Sequence, residues 1–112
     1  MAILTTRSVV EDGLTPTYAS VGASGDKVKP GDRTFIHVKN DSGGSVTVTV
    51  DDTQTREPAG AYQFDPNLHV VIAPSGESMI GPLPASRFYG ADGYADVTYS
   101  ASVSVTIAAL RI

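Results

Sequence analysis

The sequence predicts an all-β protein, an antiparallel β-sandwich or small barrel of about six to eight short strands. Three observations predict it. Thirteen Val, eleven Thr and eleven Ser outweigh the helix-favouring residues. Eleven Gly and seven Pro break the chain before a helix can gather length. The two stretches free of such breaks for long enough, 45–57 and 94–112, alternate with period two rather than 3.6.

Ser45-Val46-Thr47-Val48-Thr49-Val50 carries the alternation most clearly. A strand gathers Val46, Val48 and Val50 on one face, whereas a helix would scatter them. Arg33 to Lys39 sets Thr34, Ile36 and Val38 against Arg33, Phe35, His37 and Lys39, with the second set on the solvated face. Asn40-Asp41-Ser42-Gly43-Gly44 joins these strands with turn chemistry and predicts a hairpin. His69 to Ala73 is a further strand, ended by Pro74-Ser75-Gly76. Glu77 to Leu83 follows, and Pro82 with Pro84 assigns it to a sheet edge. Ala95–Ser100 and Ser102–Leu110 close the chain, with Val97, Tyr99, Val103, Val105 and Ile107 of one parity and expected inward if a tight turn joins them.

Before residue 33 the pattern is weaker. Leu14 to Val21 can form only an edge strand because of Pro16, and 22–26 and 30–32 are loops. Residues 1–13 form an N-terminal arm, expected to order on a partner, and 14–112 a single domain. The helices that a ferredoxin-like or doubly wound fold requires are missing from the pattern.

Composition narrows function. Eight Lys and Arg against twelve Asp and Glu leave a net charge of −4, which argues against nucleic acid as a partner. The absence of Cys removes disulfides, thiolate metal sites and a thiol nucleophile. No apolar run approaches the roughly 18 residues that span a bilayer, and the first residues lack the pattern of a secretory signal.

Catalytic and metal signatures are equally sparse. His37 and His69 lie on separate strands without the three or four ligands of a zinc site. Asp92-Gly93-Tyr94-Ala95-Asp96 lacks the ligand alternation of a calcium loop. Gly22-Ala23-Ser24-Gly25 is one residue short of a nucleophile elbow. Asp51, Asp52, Glu57 and Asp65 could converge as paired carboxylates, although Asp51-Asp52 directly follows a strand, where a solvated turn is expected. Asn40-Asp41-Ser42 fits a glycosylation sequon but reads as a turn. The expectation is a non-enzymatic protein without metal or cofactor.

Aromatic residues in polar loops offer contacts instead. Tyr62 and Phe64, and Phe88, Tyr89 and Tyr94 beside Arg87, serve either as lids over the core or as anchors for a partner.

Thr34-Phe35-Ile36-His37-Val38-Lys39-Asn40, the glycine turn and Val46-Thr47-Val48-Thr49-Val50 together resemble small virion proteins of tailed bacteriophages. Ile80-Gly81-Pro82-Leu83-Pro84 before a Tyr/Gly loop, and Val97-Thr98-Tyr99-Ser100 before Val103–Arg111, are similar to segments of the same group. The resemblance covers residues 14–112 and is one of strand-and-turn texture. It implies a capsid decoration (cement) protein on the virion surface, assembled in the host cytoplasm. Its partners would be the major capsid protein and further copies of itself, a trimer being favoured, with no nucleic acid and no membrane. A tail-tube or head–tail joining subunit is the alternative, as is a carbohydrate- or surface-binding β module stacking sugars on Tyr62, Phe64, Tyr89 and Tyr94. The expected contact residues are Ile3, Leu4 and Arg7 of the arm and Tyr62, Phe64, Arg87, Phe88 and Tyr89 of the loops.

Overall fold

A computed structural model describes residues 2–51, 68–88 and 93–112. Ten strands and one helical turn follow in chain order: β1 (Ala2–Ile3), β2 (Thr6–Ser8), β3 (Ala19–Ser20), β4 (Asp26–Val28), β5 (Thr34–Asn40), β6 (Val46–Val50), β7 (Leu68–Ile72), β8 (Glu77–Ile80), α1 (Ala85–Phe88), β9 (Ala95–Tyr99) and β10 (Val105–Arg111). They form a β-sandwich. One sheet has the order β1-β4-β9-β6-β7, and the other β2-β10-β5-β8, with β3 also paired to β10.

The alternation read from the sequence places the core. Val46, Val48 and Val50 of β6 are fully buried and face Ile36 and Val38 of β5 and Val105 and Ile107 of β10 within one apolar cluster. Two sheets each burying one face give the two-layer arrangement that period-two sequences favour. β8 is an edge strand as expected.

Consecutive strands change sheet at three places, including the one where the sequence predicts a hairpin. β5 and β6 belong to different sheets, as do β7 and β8, and β9 and β10. Among the described strands, only β6 and β7 are both consecutive and paired. The expected hairpin through residues 40–44 is therefore a corner. The strand beginning near Ser102 starts at Val105 instead, because Ser104 takes a positive φ of 61°. That turn breaks the alternation, so Val103 points outward and is 77% exposed.

Asn40 holds the corners together. Its side chain is wholly buried, and Nδ2 donates to the carbonyls of Gly44 (2.8 Å), Ile72 (3.1 Å) and Ala73 (3.2 Å). Oδ1 accepts the Ser42 amide and hydroxyl. Asn40 N–H donates to Gly76, and Asp41 N–H to Ser104. Three sheet-to-sheet connections thus meet at one end of the sandwich. The sequon asparagine is consumed by this network, so the folded chain presents no glycan acceptor there.

The arm does not wait for a partner. β1 runs parallel to β4 in one sheet and β2 parallel to β10 in the other, so residues 2–8 pass from sheet to sheet along one side. Leu4 N–H donates to Lys27 and its side chain packs against the core, while Val9 N–H donates to Arg111. Backbone donors left open at two sheet edges explain the pairing, since an open edge accepts any extended segment within reach. Of the strand expected within 14–21, only Ala19–Ser20 pairs, on the edge of β10.

Candidate interaction surface

Several polar side chains among the described residues are bonded within the fold. Asp26 is buried, and its Oδ2 accepts the Gly22 amide (3.0 Å) and the Tyr99 hydroxyl (2.7 Å). Burial, and then this hydrogen bond to a carboxylate, pushes the Tyr99 phenol far above its ordinary value. Lys27 pairs with Asp96 at 2.8 Å, which commits the one described carboxylate of the 92–96 segment.

The sign of the Tyr99 shift gives a pH prediction. Above about pH 10 tyrosine in the unfolded chain ionises while Tyr99 in the folded chain stays protonated, so stability falls as pH rises through that range. Tyr99→Phe is expected to cost about 1–2 kcal/mol at neutral pH, from the hydrogen bond lost to Asp26, and to flatten the alkaline decline. Urea unfolding of both proteins at about pH 8 and pH 10.5 measures it. Parallel declines would show that Tyr99 does not set the alkaline limb.

His37 corrects an expectation. It stands on the outer face of β5 yet is only 6% exposed. Tyr18 lies edge-on against it with ring centroids 5.4 Å apart, and Lys39 Nζ sits 4.1 Å above the Tyr18 ring. Glu77 Oε1 is 3.0 Å from His37 Nε2. An ionised carboxylate only accepts, so in the neutral ring Nε2 carries the proton and Nδ1 takes the Tyr18 hydroxyl. His69 stands on the other sheet, hydrogen-bonded to Thr49 Oγ1 at 3.0 Å. Among the described residues no three His, Asp or Glu side chains gather as a metal site.

The outer face of the second sheet changes character along its length. Around Tyr18, His37, Lys39 and Glu77 it is polar, with His37 buried beneath its neighbours. Toward the other end Phe35, Met79, Gly81, Pro82 and Ile112 line an open groove of about 500 Å³, with Asp32 and Arg33 on its rim. Met79 is 67% and Ile112 72% exposed. Register explains the grouping: Phe35 lies opposite Leu110 of β10, and Met79 lies opposite His37, the next outward position along β5. Leaving such side chains in water costs on the order of 25 cal/mol per Å².

The expected contact residues separate accordingly. Ile3 and Arg7 are exposed on the paired arm, whereas Leu4 is half-buried against the core. Phe88 is 1% exposed and belongs to the core, so of the two roles open to it the structure assigns the lid and not the anchor. Its short helix turns it inward, with Phe88 N–H donating to Pro84. Tyr62, Phe64 and Tyr89 lie outside the described residues, as do the Arg87 side chain and the acids Asp52, Glu57 and Asp65. Sequence reasoning missed the groove. Phe35 was legible as an outward aromatic, but its neighbours Met79, Pro82 and Ile112 come from segments 44 or more residues away.

Comparison with protein-family models, with curated proteins and with solved structures finds no match to this chain.

Proposed function

We propose that this chain is a non-enzymatic virion structural protein that binds the outer surface of a phage capsid and stabilises the shell. The observation that carries the reading is the open apolar groove of Phe35, Met79, Pro82 and Ile112 on a sandwich whose Lys27–Asp96, His37–Glu77 and Tyr99–Asp26 pairs are bonded internally. A cement protein must hold its shape, dock through one face and repeat that contact over a lattice, where many weak contacts sum through avidity. The groove supplies the face, and the arm stiffens the side of the scaffold. The strand-and-turn likeness to small virion proteins points the same way. The partners under this reading are the major capsid protein and further copies of the chain, a trimer being favoured, and the location is the virion surface.

The test is quantitative mass spectrometry of purified particles of the phage that encodes this chain, together with pelleting on shells that lack it. Hundreds of copies per particle and saturable binding are expected. Met79→Glu and Ile112→Glu should each weaken pelleting by about tenfold or more, since both place a charge in an apolar contact, while their exposure leaves folding intact. A few copies per particle would assign the chain to the tail or the head–tail joint. Particles without the chain would end the reading.

A further inference from the structure

A second, smaller pocket opens where the loop after β4 meets β2 and β10. Thr6, Lys29, Pro30, Gly31, Thr34 and Arg111 line it, and its volume is about 280 Å³. Two cations border it in a chain of net charge −4, and no described carboxylate does. Among the described residues neither Lys29 nor Arg111 forms an ion pair. Arg111 is nevertheless oriented, because its Nε donates to Ser8 Oγ at 2.8 Å and leaves the Nη groups available. Asp32, the nearby acid of the same loop, lines the apolar groove instead.

An independent observation falls on the same wall. The Thr6 hydroxyl is the one buried side-chain polar atom among the described residues that lacks a hydrogen-bond partner. Buried polar groups are nearly always satisfied, and one that is not marks a place where a water, ion or ligand supplies the missing bond. Gly31 keeps the opposite wall clear, since a Cβ there would stand 2.8 Å from the Thr34 hydroxyl.

We propose that this pocket binds an oxyanion, with Lys29 and Arg111 donating charge-assisted hydrogen bonds and Thr6, after a rotation about χ1, donating its hydroxyl. Two cations and a hydroxyl suit a group with several acceptor oxygens on one centre. The pocket, of about 280 Å³, has room for a phosphate- or carboxylate-sized group. A free inorganic oxyanion and the carboxylate of a polypeptide share this chemistry. The inference does not depend on capsid binding and is tested on the isolated chain.

The experiment follows backbone amide shifts of Thr6, Lys29, Gly31 and Arg111 while sodium phosphate, or in a second arm sodium acetate, replaces sodium chloride at constant ionic strength. Saturating shifts confined to these residues are expected, with a Kd on the order of 1 mM. Lys29→Gln and Arg111→Gln should each weaken binding by about tenfold, and Arg111→Lys by less, because lysine keeps the charge but loses the fork. Thr6→Val, which keeps the β-branched shape, should weaken binding without lowering thermal stability. Tighter binding of phosphate identifies a free oxyanion as the natural occupant, and tighter binding of acetate a carboxylate. Shifts no larger than those in chloride, or equal affinity in the Lys29→Gln/Arg111→Gln double variant, would overturn the proposal.

Discussion

Asn40→Ala is expected to lower the unfolding free energy by about 3–4 kcal/mol, a large share of the roughly 5–15 kcal/mol of a typical domain. Truncation leaves the carbonyls of Ile72 and Ala73 without their side-chain donor and the Ser42 amide without its acceptor, while the Gly44 carbonyl and the Ser42 hydroxyl keep only each other. Ile72 belongs to the buried core, so water does not readily replace the lost donor there. Asn40→Asp tests the mechanism more sharply. It keeps the shape and the acceptor but turns the donor into an oxygen facing carbonyl oxygens, and should be at least as damaging. Ser42→Ala removes one partner in a partly exposed turn and should cost about 1 kcal/mol or less. Urea denaturation orders the three variants. An Asn40→Ala protein within about 1 kcal/mol of the parent would show that the corners are held by the core alone.

Gly81→Ala is expected to destabilise by about 2–4 kcal/mol, as overpacking against a fixed neighbour does. Gly81 has a φ of 154°, and a Cβ there would stand 2.6 Å from Phe35 Cβ, 2.9 Å from Phe35 Cα and 3.0 Å from the Thr34 carbonyl oxygen. Two of those atoms are backbone and cannot rotate away. The same Thr34 oxygen accepts the Leu83 amide, and Leu83 is a fully buried core residue. The added methyl therefore pushes on a sheet strand and on the segment that seats Leu83. Gly43→Ala is the control, because nothing lies within 4 Å of its Cβ position. If thermal melts give both variants the same stability, the close approach at Gly81 is not a constraint. Because Phe35 also lines the apolar groove, under the proposed capsid-binding role Gly81→Ala should lower attachment to shells beyond its effect on folding.

Which side chains face inward was legible to a large extent. Val46, Val48 and Val50, Ile36 and Val38, and Val105 and Ile107 are all buried as their alternation predicts. Two failures are instructive. Val103 obeys the parity of its neighbours but is exposed, because the positive φ of Ser104 resets the count. His37 has outward parity but is buried, because Tyr18 folds across it from 19 residues away. The apolar groove was less legible still: Phe35, Met79, Pro82 and Ile112 share no local pattern and meet through the register of β5 with β8 and β10.

The amino-acid sequence by itself determined the all-β class, the inward face of most strands and the edge position of β8, because alternation, turn residues and proline act through the nearest few bonds. Only the tertiary structure decided which sheet each strand joins, and with it the corners, the groove and the docking of the arm. The physical reason lies in symmetry: a hairpin and a corner bury the same parity of side chains, so alternation cannot tell them apart. The choice falls to contacts distant in sequence, such as the bonds from Asn40 to Ile72 and Ala73 and the pairing of residues 2–8 with strands near residues 27 and 110.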